Sequence, residues 1–259
     1  MSGDVITLSE LEVYLAEFLD TGIFDDYCVN GIQVEGSEEI RRIVTGVSAS
    51  YRLFEAAADR NADAVLVHHG LFWKNSPHPM ALRGFLRQRL KFLLDRNINL
   101  LGYHLPLDAH PVLGNNALIA KAINLQEIEF IPVENKGAFT GAIGKFAKPL
   151  AWEETVAVIN QAMGVSGLSF AFGNREIQSV YVLSGGGGGY FSEALRLKAD
   201  LLITGELNED TVRAAEESGL ALYAAGHYNS EKWGVRALGQ HLAEKFNIQV
   251  EFVDIPNPV

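Results

Sequence analysis

The sequence predicts an α/β fold made of two related lobes with mixed or parallel sheets. Three observations favour this class. Short β-branched runs alternate with amphipathic stretches along the 259 residues, which is typical of strands and helices that alternate around a sheet. Blocks of the first half recur in the same order in the second half. Hydrophobic residues make up 48% of the chain and charged residues 20%, so the chain can bury a core and is not intrinsically disordered.

The predicted elements follow one another along the chain. Thr7 and Glu10 form a capping box, and apolar residues at helical spacing extend the first helix to Phe18. Strands are predicted at 42–47, 64–68, 98–102, 179–184, 201–204, 220–225 and 248–253. Helices are predicted at 51–60, 81–96, 115–123, 191–198, 209–218 and 230–246. The stretch 132–149 is predicted to be rich in loops, and it separates a first lobe, residues 1–130, from a second lobe, residues 131–259.

The internal duplication is the most informative of these features. The segment 44–69 matches the segment 182–206 in its order of strand, helix and second strand. Both halves then reach a strand that ends on a histidine with an acid four residues later, and these pairs are His104 with Asp108 and His227 with Glu231. One such match is common among α/β proteins. Three matches in the same order favour two related lobes.

Charge, cysteine content and hydropathy exclude several classes of protein. The chain has 21 Lys and Arg against 32 Asp and Glu, a formal net charge of −11, and we expect no run rich in Lys and Arg. Because duplex binding needs clustered cations, a nucleic-acid partner is not expected. Cys28 is the single cysteine, so no internal disulfide can form. We expect no membrane span and no secretory signal, and therefore a cytoplasmic protein.

Histidines gather at the ends of the predicted strands. The residues in question are His68, His69, His104, His110 and His227. Open α/β sheets place their ligand sites at the carboxyl ends of strands. Imidazoles and carboxylates without thiolates are the ligands of hydrolytic zinc, manganese, iron or nickel sites, so the pattern predicts a metal site.

The doublet His68-His69 adds a geometric expectation. Neighbouring residues of an extended chain point to opposite sides, so the two imidazoles are expected to serve one ion each of a pair. A carboxylate, Asp108 or Glu231, would bridge the two ions. A hydrogen-bonded structural role is the alternative for any single histidine. We favour that alternative for the remaining three, which are His78, His110 and His241.

The glycine run Gly185–Gly189 lies between a predicted strand and a predicted helix. Backbone N–H groups at this position cradle phosphates in many proteins. The run lacks the lysine of a P-loop, and Tyr190 occupies the place of the third glycine of a dinucleotide fingerprint. Two interpretations stay open, a phosphate-binding turn and a tight turn in which side chains would clash.

Taken together, the motifs resemble those of the NIF-three-like family, whose members are also known as GTP cyclohydrolase 1 type 2 homologues. The residues that carry the resemblance are 30–36 (NGIQVEG), 67–73 (VHHGLFW), 103–108 (YHLPLD), 114–117 (GNNA) and 226–231 (GHYNSE). The resemblance covers essentially the whole chain. The sequence resembles a short member of the family, without the middle domain that is inserted in longer members.

The resemblance implies a two-lobed α/β subunit with a dinuclear metal site between the lobes, and a toroidal homohexamer. Carried over by motif, the implied metal ligands are His68, His69, Asp108, His227 and Glu231. His104 precedes the acid of its motif, and the resemblance makes it the candidate catalytic acid/base or a secondary ligand. No residue set that reads guanine or ribose carries over, so the substrate stays open.

Three functions follow from these observations. We favour a dinuclear metal-dependent hydrolase, GTP cyclohydrolase-like, in which two divalent ions (Zn, Fe, Mn or Ni) activate a water against a small-molecule substrate such as a nucleotide. The first alternative is a non-catalytic, metal-binding oligomeric assembly. The second is a nucleotide-binding regulatory module that uses Gly185–Gly189.

Overall fold

The structure, a computed structural model, describes residues 4–76, 81–133, 138–173 and 176–259. His78 therefore lies outside the described residues. The strands are β1 (Ile6–Thr7), β2 (Gly31–Val34), β3 (Glu39–Ile40), β4 (Arg42–Ser48), β5 (Ala64–His69), β6 (Asn99–Gly102), β7 (Gln126–Pro132), β8 (Thr140–Ala151), β9 (Leu168–Phe170), β10 (Glu176–Leu183), β11 (Leu201–Thr204), β12 (Ala221–Ala224) and β13 (Gln249–Phe252). The α-helices are α1 (Leu8–Phe18), α2 (Tyr51–Asp59), α3 (Gly84–Leu94), α4 (Leu105–Asp108), α5 (Asn115–Ala122), α6 (Trp152–Met163), α7 (Phe191–Arg196), α8 (Glu209–Ser218) and α9 (His227–Phe246). Short 3₁₀ helices lie at Thr21–Ile23 and Gly187–Tyr190.

The chain divides into two units, each made of more than one segment. Unit 1 comprises Met1–Leu107 and Gly234–Pro256, and unit 2 comprises Asp108–Trp233 and Asn257–Val259. Helix α9 therefore begins in unit 2 and ends in unit 1. None of the helices in the described residues is long and apolar enough to cross a membrane.

Unit 1 is built on a sheet with the strand order β13-β4-β5-β6-β2. Strands β13, β4, β5 and β6 run parallel, and β2 pairs with β6 antiparallel. The inner strands are buried along most of their length, which explains why they read as continuous apolar runs in the sequence. Leu53 and Phe54 of α2 and Leu93 of α3 pack against this sheet in the core of the unit.

Unit 2 is built on a sheet with the order β7-β8-β10-β11-β12-β9. Strands β10, β11 and β12 run parallel, while β8, β7 and β9 are attached antiparallel. The core of the unit joins Ile159 and Met163 of α6 to Val180 and Val182 of β10. The duplicated blocks form one parallel trio in each unit, β4-β5-β6 or β10-β11-β12, and β13 adds a fourth parallel strand in unit 1. The predicted mixed α/β class is confirmed.

The predicted helices and strands are largely confirmed. The capping box opens α1, because the Glu10 N–H donates to Thr7 Oγ1 at 3.2 Å and the Thr7 N–H donates to Glu10 Oε2 at 3.0 Å. Two helix starts differ from the prediction. Helix α3 begins at Gly84 rather than at residue 81, and α9 begins at His227 rather than at residue 230.

The prediction of a loop-rich stretch at 132–149 was wrong, because most of this stretch is strand β8, which pairs with β7 and β10. Glycines and lysines hide the alternation of this strand in the sequence. The glycines make room for neighbours, since a Cβ at Gly141 would lie 2.2 Å from Tyr181 Oη. Lys145 is exposed beside the buried Phe146. Strand β2 and helix α6 were not predicted either.

Truncation of Leu66 tests the buried parallel trio of unit 1. Leu66 is 0% exposed in β5, so Leu66→Ala leaves a cavity and should lower the free energy of unfolding by about 2–5 kcal/mol. Urea unfolding monitored by tryptophan fluorescence measures the change. Leu82→Ala is the matched control, because Leu82 is 60% exposed and should change stability by less than about 0.5 kcal/mol. Equal losses in the two variants would contradict the placement of Leu66 in the core.

Candidate metal centre

Three histidines of unit 1 lie together at the ends of β5 and β6. His68 is fully buried and His69 half-buried at the end of β5, and His104 is buried two residues after β6. One ring nitrogen from each of the three lies within 4.8 Å of those of the others. The rings of His68 and His69 are 4.6 Å apart between centroids, at 46°. The structure therefore brings these imidazoles close enough to share a metal ion or to serve a close pair of ions.

The Nδ1 atom of each of these rings has a hydrogen-bond partner. His68 Nδ1 lies 3.0 Å from the Tyr103 carbonyl oxygen, and His104 Nδ1 lies 2.9 Å from Asp26 Oδ1. Because these two partners only accept, both Nδ1 atoms carry the proton, and a neutral ring keeps its lone pair on Nε2. His69 Nδ1 lies 3.0 Å from the Ser48 hydroxyl. Metal-bound histidines show this arrangement, with the second nitrogen held by a carbonyl, carboxylate or similar group.

Asp26 is a site residue that the sequence analysis missed. Its carboxylate is 2% exposed and accepts hydrogen bonds from the Cys28 N–H and the Leu105 N–H, both at 2.9 Å, and from Asn30 Nδ2 at 3.0 Å. Burial raises the pKa of Asp26, but the hydrogen bonds and charge of His104, with the bonds from Cys28 and Asn30, outweigh burial and lower the pKa to about 2. Asp26 is thus ionised and fixes the orientation of His104. Its position just before the NGIQVEG motif is the only sequence signal for it.

Gln33 holds the loop that follows the His68-His69 doublet. Its Oε1 accepts from the Leu71 N–H at 2.7 Å, and its Nε2 donates to the Val29 carbonyl at 2.6 Å. A Cβ on Gly70 would lie 2.2 Å from Gln33 Nε2, so the glycine of the HHG motif makes room for this amide. The NGIQVEG and HHG motifs therefore form one hydrogen-bonded unit.

Two aromatic rings flank His104. Tyr27 and Trp73 contact its ring edge-on, with centroids at 5.1 and 5.2 Å. Trp73 is fixed in turn, because its Nε1–H donates to the Gly70 carbonyl at 3.0 Å. These rings restrict the space beside the imidazole and cover part of it from solvent.

In unit 2, His227 and Glu231 occupy the first turns of α9. His227 Nε2 lies 3.0 Å from Glu231 Oε2, and His227 Nδ1 lies 2.6 Å from Glu206 Oε1. Burial lowers the pKa of His227, but the hydrogen bonds and charges of Glu231 and Glu206 outweigh burial and raise it to about 9. The sequence analysis missed Glu206. The duplication does signal this residue, since Glu206 matches His69 when 62–69 is aligned with 199–206.

Asp108 lies in a buried polar network of unit 2. It is 4% exposed and accepts from Asn115 Nδ2 at 2.7 Å, and the Ser184 hydroxyl lies 3.4 Å from the same oxygen. Asn116 accepts from the Ser184 N–H at 2.8 Å and donates to the Thr140 carbonyl at 2.9 Å. The GNNA motif therefore fixes Asp108 and the end of β10 at once.

A close contact with Glu231 explains why the first residue of the glycine run, Gly185, is a glycine. Gly185 has a φ of 59°, and a Cβ there would lie 2.0 Å from Glu231 Oε1. Its N–H donates to Ser230 Oγ at 2.9 Å, and its carbonyl accepts from the Gly205 and Glu206 N–H groups. This geometry supports the tight-turn interpretation at Gly185. Phosphate binding by the run stays a prediction.

The remaining histidines have structural contacts. His110 Nδ1 accepts from the Val112 and Leu113 N–H groups at 3.2 and 3.0 Å, which closes a local turn. His241 Nε2 lies 2.5 Å from Tyr14 Oη, between α9 and α1. Both contacts agree with the structural role that the sequence analysis favoured for these two residues.

Comparison with known proteins gives consistent matches over the whole chain. The family model described as Duf34/NIF3 (NGG1p interacting factor 3) matches residues 6–258. A protein of Yersinia pestis named GTP cyclohydrolase 1 type 2 homolog is 46% identical over 256 residues, which cover 96% of this chain and 98% of that protein. A solved structure described as protein ybgI of unknown function is 41% identical, with a TM-score of 0.91 over 98% of this chain and 100% of the other. The structure of TTHA1606 from Thermus thermophilus is 32% identical, with a TM-score of 0.88 over the same shares of the two chains.

Substitution of Asp26 tests its role beside His104. Asp26→Asn places an amide where the carboxylate accepts several N–H groups, so stability should fall by about 1–3 kcal/mol. The metal content of the purified protein should fall with it, because metal ligands depend on the groups that orient them. Urea unfolding and elemental analysis measure both. Asp25→Asn is the control, since the Asp25 side chain is fully exposed, and a loss of equal size there would contradict the role of Asp26.

Two neighbouring glycines test the close approach to Glu231. Gly185→Ala forces Glu231 to move, because no room exists for the Cβ and the φ of 59° is strained for alanine. We expect a lower melting temperature and a lower metal content. Gly186→Ala should preserve both, since its Cβ would meet nothing within 4 Å and its φ is −73°. Unchanged metal content in Gly185→Ala would show that Glu231 needs no fixed position.

Proposed function

The chain belongs to the Duf34/NIF3 family, and on that basis we propose that it is a metal-dependent hydrolase acting on a nucleotide. From the family resemblance we carry over two divalent ions and the ligands His68, His69, Asp108, His227 and Glu231. The name of the Yersinia pestis relative supports a purine nucleotide as substrate and hydrolysis of a ring carbon–nitrogen bond as reaction.

The observation that carries this proposal is the shared orientation of four imidazoles. The Nδ1 atoms of His68, His69, His104 and His227 all contact a group of their own unit, at 2.6–3.0 Å. Nε2 is therefore the nitrogen that would bind an ion, and in His227 this atom lies 3.0 Å from Glu231 Oε2. Such uniform ring orientation is the signature of histidines prepared as metal ligands.

The donor set fits divalent transition metals. Imidazole nitrogens and carboxylate oxygens without thiolates suit zinc, iron, manganese and nickel. In unit 2 a proton on His227 supplies positive charge beside Glu231 and Glu206, as its raised pKa of about 9 indicates. A cation would replace that proton as the positive charge beside Glu231.

When bound, two cations would supply a nucleophile at neutral pH by lowering the pKa of water toward about 7. His104 is the residue that holds and returns a proton at Nε2, since Asp26 fixes its Nδ1. Tyr27 and Trp73 keep the His104 ring in place and limit its access to water.

We also propose that the protein works as a toroidal homohexamer, as the family resemblance implies, and that it acts in the cytoplasm. Light scattering of the purified protein gives its mass directly. A monomer at micromolar concentration would contradict this part of the proposal without affecting the hydrolase.

Glu231→Gln tests the hydrolase. The amide keeps the shape of the side chain but removes the charge that holds a cation, so we expect metal content and turnover to be lost together while the fold persists. Elemental analysis of protein purified without added metal, circular dichroism, and a turnover assay on a panel of nucleotides measure these three properties. Glu244→Gln, on the exposed side of the same helix, should change none of them.

Two outcomes contradict the hydrolase. The first is full turnover in Glu231→Gln after loss of metal has been verified. The second is a wild-type protein that holds metal, turns over none of the nucleotides and dissociates after chelation. That second result would favour the non-catalytic assembly.

A further inference from the structure

A groove on unit 1 concentrates positive charge in a chain of net charge −11. Residues 83–96 carry one acid, Asp95, and five cationic residues, which are Arg83, Arg87, Arg89, Lys91 and Arg96. The prediction that the chain has no run rich in Lys and Arg was wrong here. Apolar residues of α3 separate these cations in the sequence, and Arg87 and Lys91, four residues apart, lie on one face of the helix.

The groove has the size of a small-ligand site. Its volume is about 430 Å³, and its lining includes Tyr51 of α2, Arg87, Lys91 and Phe92 of α3, and Asp95 and Arg96 just after α3. Sites for small molecules commonly measure about 300–1,000 Å³. All these residues belong to unit 1, and none of them is a proposed metal ligand.

The cations of the groove are ready to bind an anion. The Arg96 guanidinium is stacked 3.8 Å from the Phe92 ring centroid, and its Nη1 donates to the Phe92 carbonyl at 3.4 Å. One of its five N–H donors is thereby used, and stacking has already restricted the side chain. Within the described part of the chain, Arg87 and Arg96 form no ion pair, whereas Lys91 neutralises Asp95 at 2.6 Å.

An aromatic ring forms another part of the lining. Tyr51 is 43% exposed, and its ring contacts the buried Phe92 edge-on, with centroids 5.0 Å apart. Exposed aromatic rings provide stacking surfaces for nucleobases. Guanidinium groups beside such a ring fit a ligand with a planar base at one end and a phosphate at the other.

We propose that this groove binds a mononucleotide. Arg87 and Arg96 bind the phosphate through charge-assisted hydrogen bonds, and the base stacks on Tyr51. Lys91 pairs with Asp95 and so keeps that carboxylate from repelling the phosphate. This binding needs no metal and no turnover, so it stands apart from the proposed hydrolase.

Isothermal titration calorimetry with GMP, guanosine and inorganic phosphate tests the proposal on the full-length protein. GMP should bind more tightly than either fragment, and its affinity should fall with added salt. Arg87→Gln/Arg96→Gln should weaken GMP by at least about tenfold. Tyr51→Ala should weaken GMP severalfold and leave inorganic phosphate unchanged. Arg213→Gln is the control, because Arg213 is an exposed arginine of unit 2.

Several results would overturn the proposal. The first is an unchanged affinity for GMP in the double variant. The second is guanosine or inorganic phosphate that binds as tightly as GMP. The third is loss of GMP binding in Glu231→Gln, because this would place the nucleotide at the metal ligands. A double variant that alters the mass of the assembly but not GMP affinity would identify the groove as a contact between copies. Melting temperatures equal to that of the unmodified protein show that the variants fold. If Glu231→Gln binds GMP as tightly as the unmodified protein, GMP binding in the groove does not depend on the proposed hydrolase activity.

Discussion

The candidate metal ligands depend on hydrogen bonds to the Nδ1 atoms of four histidines, three in unit 1 and one in unit 2. An imidazole has two nitrogens, and fixing one of them determines where the other can act. The partners are a carbonyl after β6, a hydroxyl at the end of β4, and the carboxylates of Asp26 and Glu206. Most of these groups lie at or just beyond the ends of parallel strands, so the ring orientations follow from the order of strands in each sheet.

The two duplicated units have diverged in the chemistry of equivalent positions. In unit 1 the second residue of the strand-end doublet, His69, is itself a candidate ligand. The matching residue of unit 2, Glu206, instead accepts the hydrogen bond that orients His227. The candidate ligands of unit 1, His68, His69 and His104, are all imidazoles, whereas those of unit 2 are an imidazole and carboxylates.

Much of this fold could be predicted from the sequence, because buried parallel strands read as continuous apolar runs. The same reasoning failed at β8, where glycines that make room for Tyr181 and Leu125 interrupt the alternation. Candidate ligands could be named from strand-end motifs, since these are local. Asp26 could not, because its partner His104 lies 78 residues away and no periodic pattern links the two. A long-range polar contact of this kind produces no periodic pattern in a single sequence.

The path of the chain constrains the order in which the protein forms during synthesis. Strand β13 pairs with β4, with Gln249 opposite Arg42, so the sheet of unit 1 lacks this edge strand until residues 249–252 have been synthesised. Unit 2 draws nearly all of its residues from the continuous stretch Asp108–Trp233 and can assemble earlier. Although domains generally fold in the order of translation, here the amino-terminal sheet is the last to be completed. Until then the open edge of β4 offers unpaired backbone groups to other nascent chains.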